Sequence, residues 1–471
     1  MTKLLATLLL LAAPGYAAAA ADTATPSNRL NVLFIAIDDL RPELGCYGAD
    51  HVVSPNLDRL AVEGVRFNNA YCQFPVCGPS RASLLSGLYA TSSRFLDNNV
   101  LVQREAAGCR TLPGAFKKAG YHTVSNGKIF HAADDTVGSS WSEPPFNLVT
   151  SPRDNNHATP HDPESKQYVG GLKQRGPFFE SPDVPDGTYI DGQVCEKTID
   201  DLKRLAGGEA PFFLACGFVR PHLPFYAPQR YWDLYPASRI DIAQNRSAPV
   251  NAPRELRSGS EIRTYHDRGV EYNSDEFHRV ARRGYYACVS YVDALVGRLM
   301  DTLDDLGIRD RTVVVLWGDH GWQLGEHDFW GKHTLLRNSL RSPLIVSAPG
   351  YTPDAEVDGI VELIDLYPTL CELTGVPAPG HLQGKSFVPL MADPTLPGKA
   401  AAYMRNTRGA AIVTPESLYA EYDSGAEMLF DHRNDLDEDV NVVSQPERAE
   451  TVSRMRALMA QIEALAEGSA E

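Results

Sequence analysis

The chain has 471 residues, with 44 Lys and Arg against 60 Asp and Glu, a formal charge of −16 with histidine neutral. That balance argues against a broad grip on nucleic acid or on an anionic membrane, and no run of five Lys or Arg makes a local basic tail. With 43% apolar and 22% charged residues the composition is that of a globular protein, long enough for two or three domains, or for one large domain with an appendage.

Met1-Thr2-Lys3 is followed by an apolar run from Leu4 to Ala13, a Pro14-Gly15 break and the small residues Ala17 to Ala21. This order is that of a signal peptide over residues 1–21. The run is too short for a membrane span, so the expectation is export, to a periplasmic or secreted location. Cleavage would remove Lys3 and leave a charge of −17. The eight cysteines are too sparse for a disulfide scaffold, and no CxxC pair suggests zinc.

Asn31 to Ile37 is a continuous apolar run that ends at Asp38-Asp39. Phe212 to Phe218 is a second and leads into Arg220-Pro221-His222; Thr312 to Trp317 is a third and ends at Gly318-Asp319-His320; Leu344 to Ser347 is a fourth. Such runs read as strands buried on both faces. A helix is expected from about Phe277 to Asp305, with Val289, Val292, Leu295, Val296, Leu299 and Leu303 on one face and Gly307 at its stop. The alternation gives an α/β fold, a large mixed, mostly parallel sheet sandwiched by helices. Ligands of such sheets bind outside the carboxyl ends of the strands, and three of these ends carry Asp-Asp, Asp-His and His.

The segment from about Gly138 to Gly187 is Pro-, Gly- and Ser-rich and reads as loops over the site, and Ala243 to Ser274 is another irregular stretch. Met391 to Gly398 reads as a linker. Strands over Ala400 to Tyr422, an acidic turn-rich segment at Asp431 to Asp439, and a terminal helix with Val452, Met455, Leu458, Met459, Ile462 and Leu465 would form a smaller α+β subdomain. The expected division is a catalytic domain over 22–392 and a C-terminal subdomain over 393–471.

Cys77-Gly78-Pro79-Ser80-Arg81 followed by Ala82-Ser83-Leu84-Leu85-Ser86-Gly87 resembles the signature of type I sulfatases, in the alkaline-phosphatase-like superfamily. Gly120 to Lys128 resembles their second signature. The resemblance implies that Cys77 is oxidised to formylglycine by a formylglycine-generating or anaerobic sulfatase-maturing enzyme. Hydrated formylglycine has two hydroxyls. One, activated by a divalent cation, attacks sulfur and displaces the alcohol; deprotonation of the other re-forms the aldehyde and expels sulfate. The resemblance places the metal at Asp38, Asp39, Asp319 and His320 with the modified Cys77. These carboxylates suit Ca2+, with Mg2+ or another divalent ion as alternatives.

Carried over by the same likeness, Arg81 orients the formylglycine. Lys128 and His131 hold a sulfate oxygen and the spent hydroxyl, with His131 as proton acceptor. The likeness also gives His222 the role of protonating or stabilising the leaving alkoxide, and Lys332 that of binding sulfate. Asp319-His320, Arg220 to Phe225 and Gly321 to His327 resemble the iduronate-2-sulfatase branch. Trp322 has two readings, a stacking platform for a sugar or local packing beside the metal. His327 and His333 take no assignment. The implied substrate is a sulfated oligo- or polysaccharide, with a 2-O-sulfated uronate as the favoured sugar. The alternatives are a phosphate or phosphonate ester hydrolase of the same superfamily, and a glycan-binding relic without activity.

Overall fold

The structure, a computed structural model, describes residues 29–147, 158–169 and 175–468. The segment read as a signal peptide lies outside the described residues. Among those described, no helix is long and apolar enough to cross a membrane.

Eight strands form the main sheet: β1 (Asn31–Ile37), β2 (Val65–Tyr71), β3 (His122–Gly127), β4 (Phe212–Phe218), β5 (Thr312–Gly318), β6 (Arg341–Ser347), β7 (Ala355–Val357) and β8 (Val361–Glu362). Their order is β7-β2-β6-β5-β1-β4-β3, with β8 also on β2. Every pairing is parallel except those of β6, which runs antiparallel to β5 and to β2. The central strands β1, β4 and β5 are buried at every residue. A strand covered on both faces has no polar side to show, which is why these three read as unbroken apolar runs.

Alternate residues of β1 feed two separate cores. Val32, Phe34 and Ala36 face one, and Leu33, Ile35 and Ile37 face the other. Helix α1 (Cys77–Ser86) puts Ala82, Leu84 and Leu85 into the first. Helices α2 (Ile190–Ala206) and α3 (Asp275–Asp305) cover the second. Helix α3 starts two residues before the expected Phe277. The Ser274 hydroxyl accepts the Phe277 N–H at 3.1 Å, and Asp275 and Glu276 occupy the first turn, where the helix dipole favours negative charge.

A second, antiparallel sheet runs β9 (Ala402–Asn406), β10 (Gly409–Val413), β11 (Ser417–Tyr422) and β12 (Glu427–Asp431). Helix α4 (Ala449–Glu467) packs Val452, Met455 and Met459 on one face of it. The expected stripe of α4 ends early: Leu465 is 69% exposed. The other face of this sheet, with Met404, Val413, Leu418 and Phe430, belongs to the first core of the main sheet. A buried ion cluster joins the two sheets. Lys399 donates to Glu362 at 2.5 Å and to Asp365 at 2.6 Å, and Glu362 also accepts the Tyr403 backbone N–H.

Candidate active site

Neighbouring parallel strands deliver their next residues to one edge of the sheet. Ile37 lies in register with Phe218 on one side and Gly318 on the other. Asp38 and Asp39 therefore emerge beside the β4 and β5 termini. Asp39 turns back with φ 59°, a left-handed conformation that Asp adopts more readily than most residues. Its N–H then donates to Asp319 Oδ1 at 3.0 Å. Lys128 follows β3, and its N–H donates to Gly217 O at 2.9 Å. A Cβ on Gly217 would stand 2.1 Å from Lys128 O, so only glycine permits this approach. Cys77 opens α1 and is 1% exposed.

The sequence-expected residues converge. One ligand atom from each of Asp38, Cys77, Asp319 and His320 lies within 4.8 Å of the others, and the same holds for Asp38, Asp39, Cys77 and His222. Arg81, fully buried, donates to Asp319 at 2.8 Å, to Asp38 at 3.3 Å, to Ile129 O at 3.1 Å and to Lys128 O. Lys128 Nζ reaches Asp38 Oδ2 at 2.5 Å. Lys332 Nζ reaches Asp39 Oδ1 at 2.6 Å and Cys77 Sγ at 3.3 Å. His320 Nε2 is also 3.3 Å from Cys77 Sγ.

Electrostatics separates the two adjacent carboxyls. Burial opposes ionisation of Asp38, yet Lys128, His222 and Arg81 hold it well below the usual range. Burial pushes Asp39 well above that range; Lys332 only partly opposes this, and Asp38 and Asp319 add to it. Burial also raises the Cys77 thiol, as does Asp38. Burial and the Lys128 charge push His131 down to about 3, so its ring is neutral at neutral pH.

A divalent cation fits these residues on two observations. Asp39 Oδ2 is buried with no hydrogen-bond partner among the described residues, an acceptor lacking a positive group. His320 donates its Nδ1–H to Gly321 O at 2.9 Å, which turns the Nε2 lone pair inward, and burial keeps the ring neutral. Arg81, Lys128 and Lys332 stand against Asp38, Asp39 and Asp319, three cations against three carboxylates. A divalent ion would leave an enclosed surplus of positive charge for an anion.

His222 donates Nδ1–H to Leu223 O at 2.6 Å and turns Nε2 toward Asp39 Oδ2, at 3.9 Å. Trp322 is 1% exposed, and the Lys332 ammonium stands 5.2 Å from its ring centroid. This buried position suits packing beneath Lys332 better than stacking on a sugar. Two residues at the mouth have no counterpart in the sequence reading. Glu261 lies 3.7 Å from His222 Nε2 and 3.8 Å from Lys332 Nζ, and Arg175 lies 3.5 Å from Glu261. Both come from irregular stretches without a motif, so only the folded chain shows them.

The family model described as Sulfatase matches residues 30–376. The iduronate 2-sulfatase of Homo sapiens is 34% identical over 410 residues, covering 77% of this chain and 72% of that protein. A sulfatase of Formosa agariphila is 31% identical over 450 residues, 92% of this chain and 86% of the relative. Among solved structures, a phosphonate monoester hydrolase from Silicibacter pomeroyi superposes with a TM-score of 0.77 at 23% identity, covering 94% of this chain and 96% of that one, a likeness of fold. With Cys77, cations and carboxylates gathered at one sheet edge, the chain belongs to the sulfatase family and is a sulfuric ester hydrolase.

Proposed function

We propose that the protein is an exported sulfatase, periplasmic or secreted, that removes sulfate from a carbohydrate, a 2-O-sulfated uronate in a glycosaminoglycan or related polysaccharide being the favoured substrate. The observation that carries this reading is the place of Cys77. Its sulfur belongs to both candidate ligand clusters and lies 3.3 Å from Lys332 and from His320. Formylglycine at position 77, made by a maturation enzyme, would supply a hydroxyl nucleophile, and a Ca2+ ion held by Asp38, Asp39, Asp319 and His320 would favour its ionised form. Similarity to iduronate 2-sulfatase supports the sugar.

The chain's own residues then divide the work. Lys128 and Lys332 hold sulfate oxygens. Arg81 fixes Asp38 and Asp319 and faces the residue at 77 with positive charge. His222 stabilises the leaving oxygen, and neutral His131 accepts a proton. Three measurements test this. The mass of the tryptic peptide containing Cys77 reports the conversion. A screen of defined sulfated oligosaccharides, read by sulfate release, identifies the sugar. Cys77→Ala should abolish release while the far-ultraviolet circular dichroism stays that of the wild type; retained release would refute the role of Cys77. An aryl phosphate tested beside an aryl sulfate checks the phosphate-ester alternative, which faster phosphate release would favour.

A further inference from the structure

Glu261 opens a short turn, Glu261–Thr264, in the irregular stretch before α3. Its carboxylate faces inward. Oε1 lies 3.7 Å from His222 Nε2 and Oε2 lies 3.8 Å from Lys332 Nζ. Arg175 also meets Oε1, at 3.5 Å. Exposure falls along this line: the side chains are 41% exposed at Arg175, 24% at Glu261, 11% at His222, 3% at Lys332 and 0% at Asp39. Glu261 is therefore a carboxylate at the rim of the pocket whose floor is Asp39.

Its three ion-pair distances exceed those of direct hydrogen bonds, so these contacts do not use up its acceptor capacity. The inner site already balances three cations with three carboxylates, and Glu261 is a fourth acid directed at the cations assigned to sulfate. A negative group there weakens the binding of any sulfate ester unless the substrate brings it a hydrogen-bond donor. A sugar has such a donor, the hydroxyl on the carbon beside the ester. Glu261 stands one contact farther out than Lys332 and His222, which is the reach of a group on that neighbouring carbon.

We propose that Glu261 is a specificity-determining residue: its carboxylate accepts a hydrogen bond from a free hydroxyl vicinal to the sulfate ester, and it rejects sugars that carry a second sulfate at that vicinal position. The proposal rests on the carbohydrate reading above. Arg175 pairs with Oε1 and leaves Oε2, the oxygen toward Lys332, to the substrate.

The test takes the matured enzyme and three versions of a sugar sulfate that it cleaves: one with a free vicinal hydroxyl, the vicinal deoxy analogue and the vicinal disulfate. For the wild type, kcat/KM should fall about ten- to a hundred-fold from the hydroxyl to the deoxy sugar, the factor expected for a hydrogen bond to a charged group. It should fall at least as far for the disulfate. Glu261→Gln should narrow both ratios, chiefly by raising the disulfate relative to the other two. A merely structural role would lower all three rates by one common factor, and that result overturns the proposal. Equal wild-type rates on the hydroxyl and deoxy sugars overturn it as well, without recourse to any variant. A wild type that releases sulfate from no sugar overturns the carbohydrate reading itself, and the role of Glu261 with it.

Discussion

Chelation should destabilise the folded protein, and Asp39→Asn should make it indifferent to chelation. Among the described residues Asp39 Oδ2 is a buried acceptor without a hydrogen-bond partner, and burial holds the carboxyl well above its usual range against the pull of Lys332. The sign follows from linkage. A carboxyl whose folded pKa is raised destabilises the fold when ionised, and the penalty grows as pH rises above the unfolded value. Asparagine mimics the protonated form, and its amide oxygen can still accept from Lys332. The chelated variant should therefore be no less stable than the chelated wild type at pH 7. An ion that binds only the folded state adds RT ln(1 + [L]/Kd), about 2.7 kcal/mol at a free concentration a hundred times Kd. Urea unfolding at 25 °C, with chelator and then with Ca2+ or Mg2+ titrated back, measures both quantities. The wild type should gain about that amount, while the variant, having lost a charged ligand, should gain less than about 0.5 kcal/mol over the same range. A variant that keeps the full increment removes Asp39 from the ligand set. A wild type that gains nothing from either ion refutes the cation site altogether.

Lys399→Met should cost about 3–5 kcal/mol, because it strands Glu362 and Asp365, each 1% exposed, without their shared ammonium; adding Glu362→Gln should restore part of the loss in urea unfolding, and strict additivity would refute the coupling. Glu43 is held down to about 2 because Arg41, His51 and Arg282 outweigh burial. This carboxylate therefore stabilises the fold above its ordinary value of 4.5, and the contribution, about 3 kcal/mol, is lost as pH falls from 4.5 through about 2. Glu43→Gln should flatten that acid limb, and an unchanged limb would count against the assignment. Gly217→Ala should prevent soluble folding or separate the β3 and β4 ends, since the new Cβ would meet Lys128 O at 2.1 Å; soluble yield and sulfate release read this, and a wild-type result for both would show that the strand ends are looser than the register indicates.

The strands that carry the site were legible because burial on both faces leaves no alternative to an apolar run. The switch to Asp-Asp after Ile37, or to Asp-His after Gly318, is then abrupt. Strand β2 was not legible in this way. Its sequence, VRFNNAY, leaves Arg66, Asn68 and Asn69 half-buried, so it mixes polar and apolar positions without the run that marks β1. Arg81, Lys128 and Lys332 were found through resemblance, and the physical reason is plain: each is a lone cation in sequence, and only tertiary contact shows that it meets an acid. Trp322 shows the reverse difficulty. Residue type announces a ring but not whether its face is open, and Lys332 covers it. Glu261 and Arg175 left no trace at all, because their places depend on how two irregular segments lie over the sheet edge.

The overall acidity, −16, and an anionic substrate are compatible because the two act at different distances. Screening confines the field of exposed charges to about 10 Å in ordinary salt, whereas charges inside a dry site act almost undiminished. Counted by formal charge, Arg81, Lys128 and Lys332 balance Asp38, Asp39 and Asp319, and Arg81, Asp38, Asp39, Asp319 and His320 are each fully buried. A divalent ion at these carboxylates would tip that balance toward sulfate, while Asp38 and Asp39 help keep Lys128 and Lys332 protonated. The rim adds Glu261, a charge of the wrong sign for sulfate alone. With an ion bound, a positive floor under the negative rim would favour a ligand with one sulfate and a neighbouring hydroxyl over a densely sulfated surface, which is the selectivity that the deoxy and disulfated sugars measure.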